Sequence, residues 1–189
     1  MLLYQRLTEK YGQKALRWDW TCCTEKQEPV FRSLLDRLQP QSVLEIGTHQ
    51  GISALLLAEY AKAVVTIDII PDPCREKLWG DMGASGKIFG HVYKSQAARD
   101  ECIQDIVATG IDLVFIDGGH LMHDVEYDFN LCIPCRTVIL HDYWDGSDWP
   151  DVKEFVDNLD REKYFVEIHK PFVLVREKLE VVGDGGDSE

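Results

Sequence analysis

The segment from Ser42 to Ala61, SVLEIGTHQGISALLLAEYA, constrains the fold more than any other part of the chain. Val43, Leu44 and Ile46 form a short apolar run with the character of a strand buried on both faces. Leu55, Leu56, Ala58 and Ala61 then recur at helical spacing. Between the two, Gly47 and Gly51 mark a turn in which the missing Cβ lets the backbone bend tightly and a ligand come close. Strand, glycine turn and helix in that order read as a nucleotide-binding unit, with the ligand beyond the end of the strand.

The same alternation repeats along the chain. Ala63–Asp68 reads as a second strand ending in a carboxylate, with a short helix near Arg75–Met82 after the break at Pro71 and Pro73. A third strand falls within Lys87–Tyr93, and a helix follows from Gln96 to about Ala108, ended by Gly110. Ile111–Ile116 is the clearest central strand and delivers Asp117-Gly118-Gly119-His120 to its carboxyl end. The next helix carries Leu121, Val125, Phe129 and Cys132 on one face and stops at Pro134. Thr137–Leu140 is a fifth strand ending in His141-Asp142, with Val152–Val156 in a helix after it. Tyr164–His169 and Phe172–Arg176 are separated only by Lys170-Pro171, too short for a crossover, so they form an antiparallel hairpin.

This pattern predicts an α/β fold: a doubly wound, Rossmann-like seven-stranded sheet, mostly parallel, with a C-terminal antiparallel hairpin and helices on both faces. Ligands of such sheets bind beyond the carboxyl ends of the strands, where Glu45–Gly51, Asp68, Asp117–His120 and His141-Asp142 all fall. The 189 residues suit one domain, running to about residue 180, with an acidic, glycine-containing tail over 181–189 expected to be disordered. Two helices, around Leu3–Leu16 and from Gln27, precede the core and are expected to serve as a substrate lid or a homo-oligomer contact.

Composition narrows the partners. Twenty Lys and Arg against 33 Asp and Glu give a net charge of −13, which repels a phosphate backbone and argues against nucleic acid. Neither a signal-peptide core nor an apolar run of membrane-spanning length is seen, so no membrane partner and a cytoplasmic location are expected. The six cysteines include Cys22-Cys23 and Cys132-x-x-Cys135, a combination that could supply four zinc ligands. The strand order argues otherwise: Cys22-Cys23 should lie at the ligand-binding edge and Cys135 at the opposite one. Free thiols are expected.

The motifs resemble those of class I S-adenosylmethionine-dependent methyltransferases, and within them small-molecule O-methyltransferases such as catechol O-methyltransferase and the macrolide-sugar enzymes. The resemblance covers roughly Pro29 to Arg176. VLEIGTHQGISA is similar to the first motif of that family, with His49 in place of its middle glycine. IDGGH followed by Val125 and Asp128, and LHDYW followed by Val152, are similar to one bacterial subgroup. The resemblance implies S-adenosylmethionine as cofactor and a small hydroxylated acceptor, a sugar or a phenol. Glu45, Gly47, Thr48, His49, Gly51 and Ser53 would surround the methionine part, Asp68 the ribose, and Ser95 and Gln96 the adenine, with Asp117 nearby. The bland readings are that Asp68 is a turn residue and Ser95 an N-cap.

The resemblance also implies chemistry at the ends of the fourth and fifth strands. Asp117 and Asp142 correspond to acids that bind magnesium in the metal-dependent members. Tyr143 stands where the catechol enzymes have an asparagine ligand, so His141 is the candidate third ligand, and an imidazole would favour manganese, iron or zinc over magnesium. His120 falls where those enzymes carry a lysine base, and a neutral imidazole there would accept the acceptor's hydroxyl proton. His120 and His141 are therefore the catalytic candidates. Trp144, Trp149, Trp18 and Trp20 would wall the acceptor pocket. Two rivals remain. A nicotinamide-dependent oxidoreductase needs glycines at the positions of Gly47, His49 and Ile52, and two of the three differ. A nucleotide-binding protein without turnover would keep the fold but lose the reaction.

Overall fold

The structure is a computed structural model that describes residues 1–13 and 21–178. Its elements are α1 (Leu3–Tyr11), α2 (Glu28–Leu38), β1 (Ser42–Ile46), α3 (Ile52–Tyr60), β2 (Ala63–Asp68), α4 (Arg75–Asp81), β3 (Ile88–Val92), α5 (Gln96–Ala108), β4 (Leu113–Ile116), α6 (Met122–Cys132), β5 (Thr137–Leu140), α7 (Pro150–Asp157), β6 (Tyr164–His169) and β7 (Phe172–Glu177). The sheet order is β3-β2-β1-β4-β5-β7-β6. β1 to β5 pair in parallel, and β7 inserts antiparallel between β5 and β6. The expected seven-stranded sheet, mostly parallel with an antiparallel hairpin, is the one found.

Strand sequences without polar alternation follow from burial on both faces. Val43, Leu113, Phe115, Ile139 and Leu174 point to one side, where they meet α1 to α4 through Leu7, Phe31, Leu56 and Trp79. Leu44, Ile46, Val114, Ile116, Val138 and Val175 point to the other, against Ile103 of α5, Phe129 of α6 and Val156 of α7. Successive side chains in a strand alternate sides, so one apolar run supplies both layers.

The direction of the crossover reverses between β1 and β4, the place where their carboxyl ends open a crevice. The ladder continues past both strands: Asp117 N donates to Ile46 O at 2.8 Å and His141 N to Ile116 O at 3.1 Å. The residues after β4 and β5 are thus held in line with the sheet. At the opposite edge, the Asp112 carboxylate accepts the Gln41 and Ser42 amides at 2.9 Å each, and β4 starts at Leu113 rather than at Ile111.

The first helix ends at Tyr11, where Gly12 takes a φ of 78°, and residues 14–16 of its expected span lie outside the described residues. Trp18, Trp20 and the tail over 181–189 lie outside the described residues. An unforeseen contact anchors α1. Glu28, fully buried at the start of α2, accepts the Leu3 amide at 2.6 Å and the Tyr4 amide at 2.9 Å, and pairs with Arg32 at 2.7 Å. A carboxylate at a helix N-terminus satisfies amides that have no partner within the helix. Replacing Glu28 with alanine is expected to cost about 2–3 kcal/mol, seen as a melting temperature lower by about 5–10 °C. An unchanged melting curve would mean that α1 is held by its apolar face alone.

The cysteines are free. Cys22 and Cys23 are buried with their sulfurs 3.8 Å apart, while the Cys135 thiol bonds Ile111 O at 3.1 Å at the far edge of the sheet. The four-cysteine arrangement is not formed. No helix among the described residues is long and apolar enough to cross a membrane.

Candidate active site

A cleft of about 1450 Å³ opens beyond the carboxyl ends of β1, β2, β4 and β5. On its β1 side the turn after Ile46 holds two glycines at positive φ, 96° at Gly47 and 76° at Gly51. Gly47 lies so close to the neighbouring strand that a Cβ there would stand 2.1 Å from Asp117 O. Gly51 is backed by Trp79, whose indole donates to Gly51 O at 2.9 Å. Gly47, Thr48, His49, Ser53 and Asp68 line the cleft, as the sequence led us to expect.

Glu45, Gly51, Ser95 and Gln96 do not line it. Glu45 is fully buried beneath the turn, where the Thr66 hydroxyl donates to it and bonds Thr48 Oγ1 at 2.6 Å. Burial pushes its carboxyl up to about 8, against the opposing effect of the Ser53 and Thr66 hydroxyls. Its place is that of a support under Thr48. Ser95 caps α5, its hydroxyl accepting the Ala98 amide at 3.3 Å, and Gln96 is exposed in the first turn. The N-cap reading of Ser95 holds because the helix start needs an acceptor there.

The other side of the cleft carries the charged cluster. His141 Nδ1 lies 3.0 Å from Asp117 Oδ1 and 3.2 Å from Asp142 Oδ1, and its ring is buried against Phe172. His120 Nε2 stands 2.8 Å from Asp142 Oδ2 and 3.8 Å from Asp117 Oδ1. The 2.8 Å contact falls outside hydrogen-bond alignment, so it is a charge contact rather than a directed bond. The His120 ring stacks on Trp149 at 4.6 Å and 17°. Asp142 has a φ of 66°, a left-handed backbone that aspartate tolerates better than most residues and that gathers at functional sites.

Burial disfavours an imidazolium at both histidines, but Asp117 and Asp142 outweigh it. His120 is raised to about 9 and His141 to about 10. Burial likewise opposes ionisation of the two acids, yet the histidines hold both below the usual carboxylate range. The two carboxylates therefore favour the protonated form of His120, against the neutral base that the sequence reading expected.

Asp117, His141 and Asp142 each offer one ligand atom, all within 4.8 Å of one another. One imidazole nitrogen and two carboxylate oxygens fit a divalent cation in number, spacing and charge. Tyr143 does not join them. It is buried, and its hydroxyl donates to Asp157 at 2.8 Å. Trp144 and Trp149 line the cleft, whereas His123 is on the surface beside Asp124.

Several cleft residues carried no sequence signal. Tyr4 reaches it from α1, Thr21 from the segment before α2, and Arg75 from α4. Each is an ordinary residue type in a segment without a motif, and only the packing of distant segments places it there.

The sheet order, the inserted antiparallel β7 and the cleft at the β1/β4 crevice define the fold of class I, Rossmann-like methyltransferases. Residues 44–143 match the family model described as a methyltransferase domain, and the chain belongs to that family. It is 28% identical over 133 residues to the uncharacterized protein y4gI of Sinorhizobium fredii, a match covering 60% of this chain and 14% of that protein. The chain thus spans about one seventh of the length of the curated relative it matches. Among solved structures, an O-methyltransferase from Bacillus cereus in complex with SAH shares the fold at a TM-score of 0.64 and 15% identity, over 93% of this chain and 90% of that one. The O-methyltransferase TomG from Streptomyces achromogenes, involved in tomaymycin synthesis and solved with SAM, does so at 0.63 and 18% identity, over 94% and 90%.

Proposed function

We propose that this chain is an S-adenosylmethionine-dependent O-methyltransferase acting on a small hydroxylated molecule, a sugar or a phenol, with the help of a divalent cation. One observation carries the reading. A single cleft holds a glycine turn and a strand-end acid, Asp68, on one side and the Asp117, His141 and Asp142 cluster on the other. The first set suits a nucleoside with an amino-acid tail, and the second suits a hydroxyl that must lose its proton.

In the reaction, the acceptor oxygen attacks the methyl carbon, the carbon–sulfur bond of the sulfonium breaks, and the hydroxyl proton leaves to a base. A methyl ether and S-adenosylhomocysteine result. The protein supplies alignment of oxygen, carbon and sulfur, and exclusion of water by Trp144, Trp149 and the Tyr4 end of α1. His120 stands beside the cluster and, once neutral, would take the proton. Asp117, His141 and Asp142 would hold the cation, which when bound polarises the acceptor hydroxyl and offsets the carboxylate charge that keeps His120 protonated. The imidazole among the ligands favours manganese, iron or zinc over magnesium. With a net charge of −13, a nucleic-acid acceptor is disfavoured, and a cytoplasmic location fits this chemistry.

Calorimetry with S-adenosylmethionine tests the first step: micromolar binding is expected, weakened at least tenfold in Asp68→Ala. No heat at millimolar cofactor would end the proposal. The pH profile tests the second. Activity must rise as His120 loses its proton, so under chelation any residual rate climbs through about pH 9. Restoring the cation is expected to move that rise toward the ordinary histidine range. A profile indifferent to chelation would remove the cation from the mechanism.

A further inference from the structure

Asp68 meets the cleft with most of its bonding capacity already used. Its Oδ2 accepts the His49 amide at 2.8 Å and the Arg75 guanidinium at 2.9 Å, and its Oδ1 accepts the Ile70 amide at 2.9 Å. Each carboxylate oxygen has two acceptor positions, so Oδ2 is filled and Oδ1 keeps one. The ion pair is closed off from water, the side chains being 5% and 10% exposed for Arg75 and Asp68, yet both residues line the cleft. Arg75 is held from three directions. Its Nε donates to His49 O at 2.6 Å, and its Nη2 also reaches Ile70 O. One guanidinium thereby ties the turn after β1 to the turn after β2, with the planar fork geometry that a lysine lacks.

From this arrangement we infer that Arg75 is a specificity-determining positioning residue: it occupies one of the two acceptor positions that a ribose would use, so that Asp68 binds a single ribose hydroxyl of the cofactor. The inference rests on the proposed use of S-adenosylmethionine. It follows from counting acceptor positions around Asp68 and from the fixed geometry of Arg75. A carboxylate free of such a partner would receive the 2′ and 3′ hydroxyls together. Here the second hydroxyl faces an oxygen that is already saturated, and it must turn to solvent or to the backbone of the 69–73 turn.

The test compares S-adenosylhomocysteine with its 2′-deoxy and 3′-deoxy analogues by calorimetry on the unaltered protein. A hydrogen bond to a carboxylate predicts that one analogue binds about tenfold to a hundredfold more weakly, and that the other stays within about threefold of the parent ligand. In Arg75→Met the freed oxygen is expected to take the second hydroxyl, so that both analogues become weaker than S-adenosylhomocysteine. Arg75→Lys keeps the charge but not the fork that fixes it against Asp68, so it is expected to follow Arg75→Met. Equal losses with both analogues on the unaltered protein would overturn the inference and leave the cofactor assignment standing. No loss with either would overturn it as well, by taking Asp68 away from the ribose. If S-adenosylhomocysteine itself does not bind, the cofactor assignment fails instead. Should Arg75→Met not fold, the comparison on the unaltered protein still decides.

Discussion

Replacing Gly47 with alanine is expected to lower the melting temperature by more than about 10 °C, corresponding to roughly 4 kcal/mol or more, and to abolish cofactor binding. Two effects add at this position. The backbone sits at a φ of 96°, which alanine reaches only with strain. The added Cβ would stand 2.1 Å from Asp117 O, 2.5 Å from Asp117 C and 2.8 Å from Gly118 Cα. All three are backbone atoms of the strand-end turn that carries the acid cluster, so no rotamer change relieves the clash. β1 and β4 would have to separate where they form the crevice. Gly83 provides the control, since its φ of 73° imposes similar strain but nothing lies within 4 Å of the added Cβ. Gly83→Ala is expected to cost only about 1 kcal/mol, or 2–4 °C. Equal shifts in the two variants would show that backbone strain, and not the closeness of β1 to β4, is what the glycine serves.

The second large effect concerns Asp142. Asparagine matches aspartate in shape and tolerates the left-handed backbone at this position, so Asp142→Asn should fold normally and melt within about 3 °C of the parent. Its missing charge is expected to reduce divalent-cation affinity at least a hundredfold in calorimetry with manganese or zinc. Turnover should fall by about a thousandfold, because the proposed polarising cation is lost. A spectroscopic readout separates these effects from damage to the fold. With a chelator present, the His120 ring should titrate at about 9 in the parent and move toward the ordinary histidine range in the variant, since one of its two carboxylates has gone. A variant that binds manganese as tightly as the parent would dismiss the three-residue site, and an unmoved His120 titration would dismiss the account of its raised pKa.

The sheet was legible because its signals are local. Val43 to Ile46, Ala63 to Asp68 and Leu113 to Ile116 are apolar runs of strand length, each followed by a turn and a helical period, and that alternation admits few arrangements. The two-residue link Lys170-Pro171 forces the hairpin for the same kind of reason. The first helix ends at Tyr11 because Gly12 interrupts it. At the site, the acids and glycines at the strand ends were legible because each lies directly after a recognisable strand. Ser95 shows the converse: being next in sequence to β3 pointed it to the cleft, and the structure shows its hydroxyl capping the start of α5.

Glu28, Tyr4 and Arg75 were beyond the sequence. Nothing in a helix-start glutamate says that it will bind amides 24 and 25 residues earlier, or in Arg75 that it will reach back to His49 and Asp68. The sequence by itself determined the order of strands and helices and which strand ends carry glycine, acid and imidazole, because periodicity and turn chemistry act over a few residues. Only the tertiary structure decided which of those groups touch, how many acceptor positions Asp68 keeps, and that His120 and His141 both stand beside the Asp117 and Asp142 carboxylates. Charge interactions and hydrogen bonds fall off within a few ångströms, and those distances are set by packing segments that the sequence holds far apart.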